Sequence, residues 1–354
     1  MLKFEMEKMG EPVIGVIVNH RHLSNLALKS ILEVSVTQYI SPPHSFSIKL
    51  HDPTLELVDP KDGVFKEGSR IDIEMGYFSQ TQKLIVGEIS SISADFANQE
   101  AVTVDIDGFD LLHRFSRGTV YRRFEGSNPD NGIPDSDIVS MIAGEMKLKS
   151  LVDPTPVRKG VRVQNHISNL SFLEELAKVN GYYLWVEEDN LYFKKEWPKH
   201  NTIEFKWGLN LLNFSSRLST TGLVNEIEVR GWDEKMTESY SVRSKRSNKS
   251  SAAFAQTGRT QISLGSGGKS EMVIVDTRIA DRKEAQRYAE SLMMQQQQII
   301  TANGSCIGRP DLRIGTTLVI DGVGRFSGEY STEEVTHTYG SSGYKTYFKV
   351  RKNI

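Results

Sequence analysis

The chain has 354 residues, enough for about two to four compact units with a sizeable core, and its 25% charged and 38% hydrophobic content is that of a soluble globular protein. A net charge of −2 supplies no broad basic surface, so nucleic-acid sequence recognition is not expected. The single cysteine, Cys306, excludes an intrachain disulfide, offers no metal-ligand spacing and reads as a small buried hydrophobe.

Met1 to Gly10 mixes Lys3, Glu5, Glu7 and Lys8 without an apolar core, so no secretion signal is expected. From Pro12 to Asp110 apolar and polar residues alternate in short runs, the period of half-buried strands. These runs are Val13–Val18, Leu32–Thr37, Ser45–Leu50, Arg70–Met75, Lys83–Ile89 and Ala101–Ile106, broken by Gly, Pro and Asp as in a small barrel or sandwich. The longest apolar stretch, Val13 to Val18, is far short of the roughly 20 residues that span a bilayer, and no membrane insertion is expected.

From Ser116 the texture changes. Punctuation at Gly126 to Asp137 leads to a helix through Ile138, Met141, Ile142 and Met146, with Asp135 or Ser136 as its expected N-cap. A second helix, opened by Ser168 or Asn169, carries Phe172, Leu173, Leu176 and Ala177 on one face and stops at Asn180-Gly181. Strands Tyr182–Val186 and Leu191–Lys195 follow, making this segment an α+β insert. Strand texture returns at Asn210–Arg217 and Glu226–Gly231. Asp233 to Ser270 is then rich in Ser, Lys, Arg and Gly, with a basic cluster at Arg243, Lys245, Arg246 and Lys249, and is expected to be a long mobile excursion. An amphipathic helix is expected over Asp281 to Gln298, with Ala285, Tyr288, Ala289, Leu292 and Met293 on one face. Strands Thr316–Asp321, Gly328–Tyr339 and Tyr344–Arg351 close the chain.

Catalytic patterns fail on spacing. Gly265-Ser266-Gly267-Gly268-Lys269-Ser270 has Ser263 where a phosphate loop needs its first glycine, and no apolar helix follows. Asp105, Asp107 and Asp110 with Gly108 begin like a calcium loop, but Phe109 and Ser116 stand where oxygen ligands are required. The eight histidines, at 20, 22, 44, 51, 113, 166, 200 and 337, lack partners at ligand spacing, so no metal is expected. Glu174 and Glu175 are adjacent on a helix and point about 100° apart, so they do not converge on one sugar bond. No cofactor and no catalytic residue is expected. Tyr182-Tyr183 and Tyr192-Phe193 read as core aromatics.

Three sets of motifs, in order along the chain, carry a resemblance. They are Asp107-Gly108-Phe109-Asp110-Leu111-Leu112-His113-Arg114; then Gln164-Asn165, Asn169 to Ala177 with Phe172 and Leu173, and Gly181-Tyr182; and last the run Ile307-Gly308-Arg309-Pro310-Asp311-Leu312-Arg313-Ile314-Gly315, Gly322, Gly328-Glu329-Tyr330, Val335-Thr336-His337 and Gly343-Tyr344-Lys345-Thr346. Together they resemble the phage late control protein D family, baseplate hub proteins of contractile tails related to the hub part of the type VI secretion valine-glycine-repeat spike.

The resemblance implies a mainly β fold with an α+β insert and two tube-like β-barrel domains per chain, the second discontinuous. The expected division is 1–115 for the first barrel, 116–206 for the insert, and 207–232 with 300–354 for the second barrel. Residues 233–299 form an inserted basic loop and helix. It also implies a homotrimeric, pseudo-hexameric ring between a hexameric inner tube protein and a separate trimeric spike protein, with a baseplate wedge or LysM-type adaptor as a further partner. Assembly in the cytoplasm into a phage tail or tail-like particle goes with it. Gly108, Asp110, Phe172, Leu173, Gly181, Gly308, Pro310, Gly315, Gly322, Gly328, Tyr330, His337, Gly343, Tyr344 and Thr346 are then structural residues. The chain ends directly after its last strand, so the spike is expected on another polypeptide. The alternative is a tail-associated cell-wall hydrolase or glycan-binding module, which needs a carboxylate pair or a surface aromatic platform.

Overall fold

A computed structural model describes residues 10–41, 43–78, 80–97, 102–126, 132–157, 161–219, 224, 226–233, 238–245, 271–275, 279, 282–295 and 300–352. Alternation makes the first half a sheet: β1 (Pro12–Val18), β2 (Arg21–His22), β3 (Ile31–Tyr39), β4 (Ser45–His51), β5 (Arg70–Tyr77), β6 (Gln80–Phe96) and β7 (Val102–Asp110). These lie in the order β3-β4-β7-β6-β5-β1-β2, and helix α1 (Asn25–Lys29), capped by Ser24, precedes β3. Five strand spacings separate β3 from β1, roughly 24 Å in a flat sheet. Yet Val34 and Val36 of β3 belong to one core with Val16 and Val18 of β1, so the sheet curls around its apolar face.

The insert follows a 3₁₀ turn, Leu111–Ser116, and contains β8 (Val120–Phe124), helix α2 (Asp135–Glu145), β9 (Lys149–Val152), β10 (Arg162–Ile167), helix α3 (Asn169–Asn180), β11 (Tyr183–Glu187) and β12 (Asn190–Lys194). Strands β8 and β10 pair, and β11-β12-β9 form a second small sheet around a separate core. Ser168 caps α3, its hydroxyl accepting from the Ser171 amide, and Gly181 ends it. At α2 the N-cap is Pro134, without a side-chain bond, rather than Asp135 or Ser136. Asp135 is drawn away by an ion pair with Arg162.

The second half comprises β13 (Thr202–Lys206), β14 (Asn213–Leu218), β15 (Glu226–Asp233), β16 (Glu238–Lys245), β17 (Glu271–Val275), helix α4 (Arg282–Gln295), β18 (Ile300–Ile307), β19 (Thr317–Asp321), β20 (Gly328–Gly340) and β21 (Gly343–Lys352). Its main strands run β14-β18-β21-β20, with β19 and β13 beside β20, over a third core. Strand β20 also pairs with β3, so both halves belong to one 13-stranded sheet. Among the described residues neither half closes into a hydrogen-bonded barrel; the sheet path ends at β14 and at the two-residue β2.

Two expectations change here. Strand β15, assigned from sequence to the second barrel, instead forms a separate sheet β16-β15-β17. Its Ile227 and Val229 share a fourth core with Ala285, Tyr288 and Ala289 of α4, which gives the amphipathic helix its apolar partner. The start of the supposed excursion is strand β16. Arg243 there lies 3.6 Å from Glu226 and 3.4 Å from Glu228, so part of the basic cluster is neutralised within the sheet. Arg246, Lys249 and the Gly265–Ser270 loop lie outside the described residues.

The insert is tied to α4 by buried charge. Arg162 donates from Nε and Nη2 to the two oxygens of Asp135, each at 2.9 Å, and from Nη2 to Glu284 of α4 at 2.5 Å. Asn180 at the end of α3 donates to Asp135 at 2.7 Å. The three charged side chains are 9%, 3% and 1% exposed, so removing the cation strands two buried carboxylates. Arg162→Met is expected to cost about 3 kcal/mol or more, read as a lowered urea midpoint with an unchanged denaturant slope. A midpoint equal to wild type would show that the triad does not hold the two elements together.

Candidate functional site

The C-terminal motifs converge on the joint between the halves. His337 of β20 sits opposite Thr346 of β21 and is fully buried. Its Nε2 donates to the Leu312 carbonyl at 3.1 Å, which leaves Nδ1 as acceptor for the Tyr344 hydroxyl at 2.8 Å, with the Thr346 hydroxyl 3.2 Å away. Thr346 also accepts from the Arg309 amide at 2.9 Å. Gly308 is required by close approach, because a Cβ there would fall 2.1 Å from the Tyr344 ring. The Gly308 carbonyl accepts from the Tyr77 hydroxyl of β5 at 3.1 Å, and the Tyr77 and Tyr344 rings lie 5.9 Å apart.

Two more bonds cross the same joint, and a third lies beside it within the first half. Arg313 donates from Nη2 to the Lys83 carbonyl of β6, Gln38 of β3 donates to the Leu84 carbonyl at 2.8 Å, and Thr37 and Thr336 share a hydroxyl contact at 3.1 Å. Burial pushes the Cys306 thiol up to about 12 and the Tyr77 phenol up to about 12, and raises Tyr344 further, so none of them is a nucleophile near neutral pH. Apart from the Arg313 guanidinium, these groups offer packing and neutral hydrogen bonding.

The other motif residues are dispersed. Gly108 lies against Phe46 and the Glu88 carbonyl. Asp110 is buried and accepts from the His44 amide and the Leu112 amide, both at 2.9 Å, so it caps the 3₁₀ turn that enters the insert. Phe172 and Leu173 lie in the insert core. Gly315 (φ +89°) packs on Trp197, and Pro310 accepts from Arg313 Nε at 3.5 Å. Gly322 and Gly328 flank the turn at Phe326, whose carbonyl accepts from the buried Tyr330 hydroxyl at 2.5 Å, and Gly343 turns β20 into β21. Tyr77, Gln38 and Arg162 were missed from sequence, and Arg313 was quoted only within a motif run, because no spacing marks a residue whose partner lies far along the chain. No group of three or more His, Cys, Asp or Glu at metal-binding geometry occurs among the described residues.

Residues 16–340 match the family described as the Alg8 N-terminal domain. The chain belongs to that family. A sequence search among curated proteins found no match. Among solved structures, it is similar to the 43 kDa tail protein of prophage MuSo2 from Shewanella oneidensis, at 12% identity and TM-score 0.70, covering 97% of this chain and 98% of that one. The tail protein of Neisseria meningitidis MC58 is also similar, at 12% identity and TM-score 0.70, covering 97% of each. The E. coli c3393 protein, a type VI secretion component described as similar to the T4 tail proteins gp27 and gp5, aligns at 11% identity and TM-score 0.54, covering 92% of this chain and 74% of that one. At such identities these likenesses establish a shared fold. It is the mainly β fold that the late control protein D motifs imply, while the sequence match falls on a differently described family.

The joint has a pH signature. Burial lowers the His337 pKa from 6.5 to about 3 and that of His44 to about 4. A depressed folded pKa means that the neutral ring contributes stability above pH 6.5 that is lost as pH falls toward those values. Asp110, raised by burial to about 7, works in the opposite sense, contributing stability below pH 4 that is lost as pH rises to 7. Two histidines against one aspartate leave stability rising from about pH 4 to 6.5. In His337→Gln that slope is expected to fall by about 1.4 kcal/mol per pH unit, measured by urea unfolding at three pH values. An unchanged slope would mean that the ring is not held neutral.

Proposed function

We propose that this chain is a structural baseplate hub of a contractile phage tail or phage-tail-like injection system, of the late control protein D type. In this reading it has no catalytic activity, and its fifteen motif residues hold the fold rather than a substrate. Three copies form a ring in which each contributes two strand-rich halves, so that the ring is pseudo-hexameric. One face then accepts a hexameric inner tube protein and the other a separate trimeric spike protein, with a baseplate wedge or LysM-type adaptor as a further partner. The chain divides into 1–115, an insert at 116–206, and a second half built from 207–232 and 300–354, with 233–299 inserted; within 207–232, β15 leaves the second half's sheet to pack on α4. It is assembled in the cytoplasm as part of a tail or tail-like particle, without nucleic-acid recognition or membrane insertion.

The observation that carries this reading is that both halves hang on one sheet through β3 and β20, in a fold that aligns with a prophage tail protein and a second bacterial tail protein over nearly the whole length of each. A rigid double unit is what a threefold ring needs in order to imitate six equivalent positions. The buried joint, in which Tyr77, Cys306, His337 and Tyr344 are held neutral, is in keeping with a structural part rather than a reactive one. No described helix is long and apolar enough to cross a membrane.

The test is the assembly state. Light scattering of the purified full chain at micromolar concentration is expected to give three times the chain mass, and negative-stain images a ring with a central hole. A strictly monomeric chain that binds neither tube nor spike protein would overturn the proposal.

A further inference from the structure

A cleft of about 320 Å³ opens where four segments meet: the start of β6, the turn after β11, the linker before β13 and the loop before β19. Its volume is at the low end for ligand pockets, about 300–1,000 Å³, which suits a side chain or a chain end rather than a folded partner. One wall is aromatic. The Trp185 and Trp197 rings lie 4.3 Å apart, and Trp185 stacks on Tyr192 at 4.7 Å.

Two cations line the cleft, Lys83 and Arg313. Lys83 is already paired, 3.0 Å from Asp72 and 3.7 Å from Glu188. The Arg313 donors that are engaged go only to backbone carbonyls, of Lys83 and Pro310, and no carboxylate of the described residues lies within ion-pair distance of it. Burial lowers its pKa, and the Glu187 carboxylate, beyond ion-pair distance, offsets that only in part. Glu187 and Glu188 add two negative charges to the lining, and Asp110, raised by burial to about 7, adds a third carboxyl group.

That combination selects among anions. A phosphate dianion would meet three carboxyl groups and a single cation that lies outside any close ion pair. A carboxylate carries one charge, is planar, and matches the guanidinium fork, while a short apolar stem lies well on indole rings. We propose that this cleft takes a carboxylate on a short apolar stem, as at the C-terminus or on an acidic side chain of an extended polypeptide, and that Arg313 holds it. Such a ligand would touch both halves and the insert at once. The inference does not rest on the hub reading.

Tryptophan fluorescence of the full chain tests it, since two of the four tryptophans line the cleft. The probes are acetyl-dialanine with a free C-terminus, acetyl-glutamate amide, acetyl-dialanine amide and inorganic phosphate. A saturable change is expected with either or both of the first two, the tighter of them identifying the source, and none with the amide or phosphate. Arg313→Gln is expected to weaken the carboxylate at least about tenfold. Should that variant not fold, judged by circular dichroism, Arg313→Lys keeps the charge and is expected to weaken binding about threefold or more by losing the fork. Equal response to the dialanine amide, a tighter response to phosphate, no response to any carboxylate, or wild-type affinity in the folded variants would each overturn the proposal.

Discussion

The architecture depends on one strand pairing. Strands β3 and β20 run antiparallel in a seven-residue register from Glu33 opposite Gly340 to Tyr39 opposite Glu334, joining segments some 300 residues apart. Val34 and Val36 of β3 fill the first core, while Val335 of β20 fills the third. Because side chains alternate across a strand, a one-residue slip would turn Val34 and Val36 to the other face. One register therefore satisfies both cores together, and it fixes the orientation of one half relative to the other.

Side-chain bonds reinforce that pairing away from the strands. Tyr77 reaches Gly308 and Arg313 reaches Lys83 between the halves, while Gln38 reaches Leu84 within the first half. Each uses a backbone carbonyl as acceptor, which ties the joint to main-chain positions rather than to mobile side chains. At the periphery the logic is different. The insert and α4 are joined through the Arg162 ion triad, where geometry and charge must both be right. In the proposed ring, the central pairing would bear load, while the triad would set the position of the outer elements.

Much of the first half was legible because its strands keep clean alternation. In β4, Phe46, Ile48 and Leu50 are buried in turn, as the pattern demands. Helix α3 was legible from its cap, its apolar face and Gly181. Strand β16 was not, since Val242 is one of few apolar residues among Ser, Arg and Lys, and a polar strand at a sheet edge looks like a loop. Strands β8, β9 and β10 are short and interrupted, and their pairing depends on the insert as a whole. Strand β15 carried the right pattern but the wrong neighbour, because Ile227 and Val229 fit an amphipathic helix as well as a larger sheet. At the joint, Gly308 and Tyr344 stood out as motif residues. The reason that they go together, a ring lying flat against a glycine, exists only in three dimensions. Tyr77 gave no signal at all, and Arg313 stood within a motif run without a role of its own.

Backbone hydrogen exchange along β3 and β20 tests the central claim most directly. The amides of Val34 to Gln38 and of Val335 to Thr338 are expected to be strongly protected and to exchange together, opening only with global unfolding. Fast exchange in both segments, or protection in one half that outlasts its loss in the other, would mean that the halves are separate bodies and that no single sheet holds them.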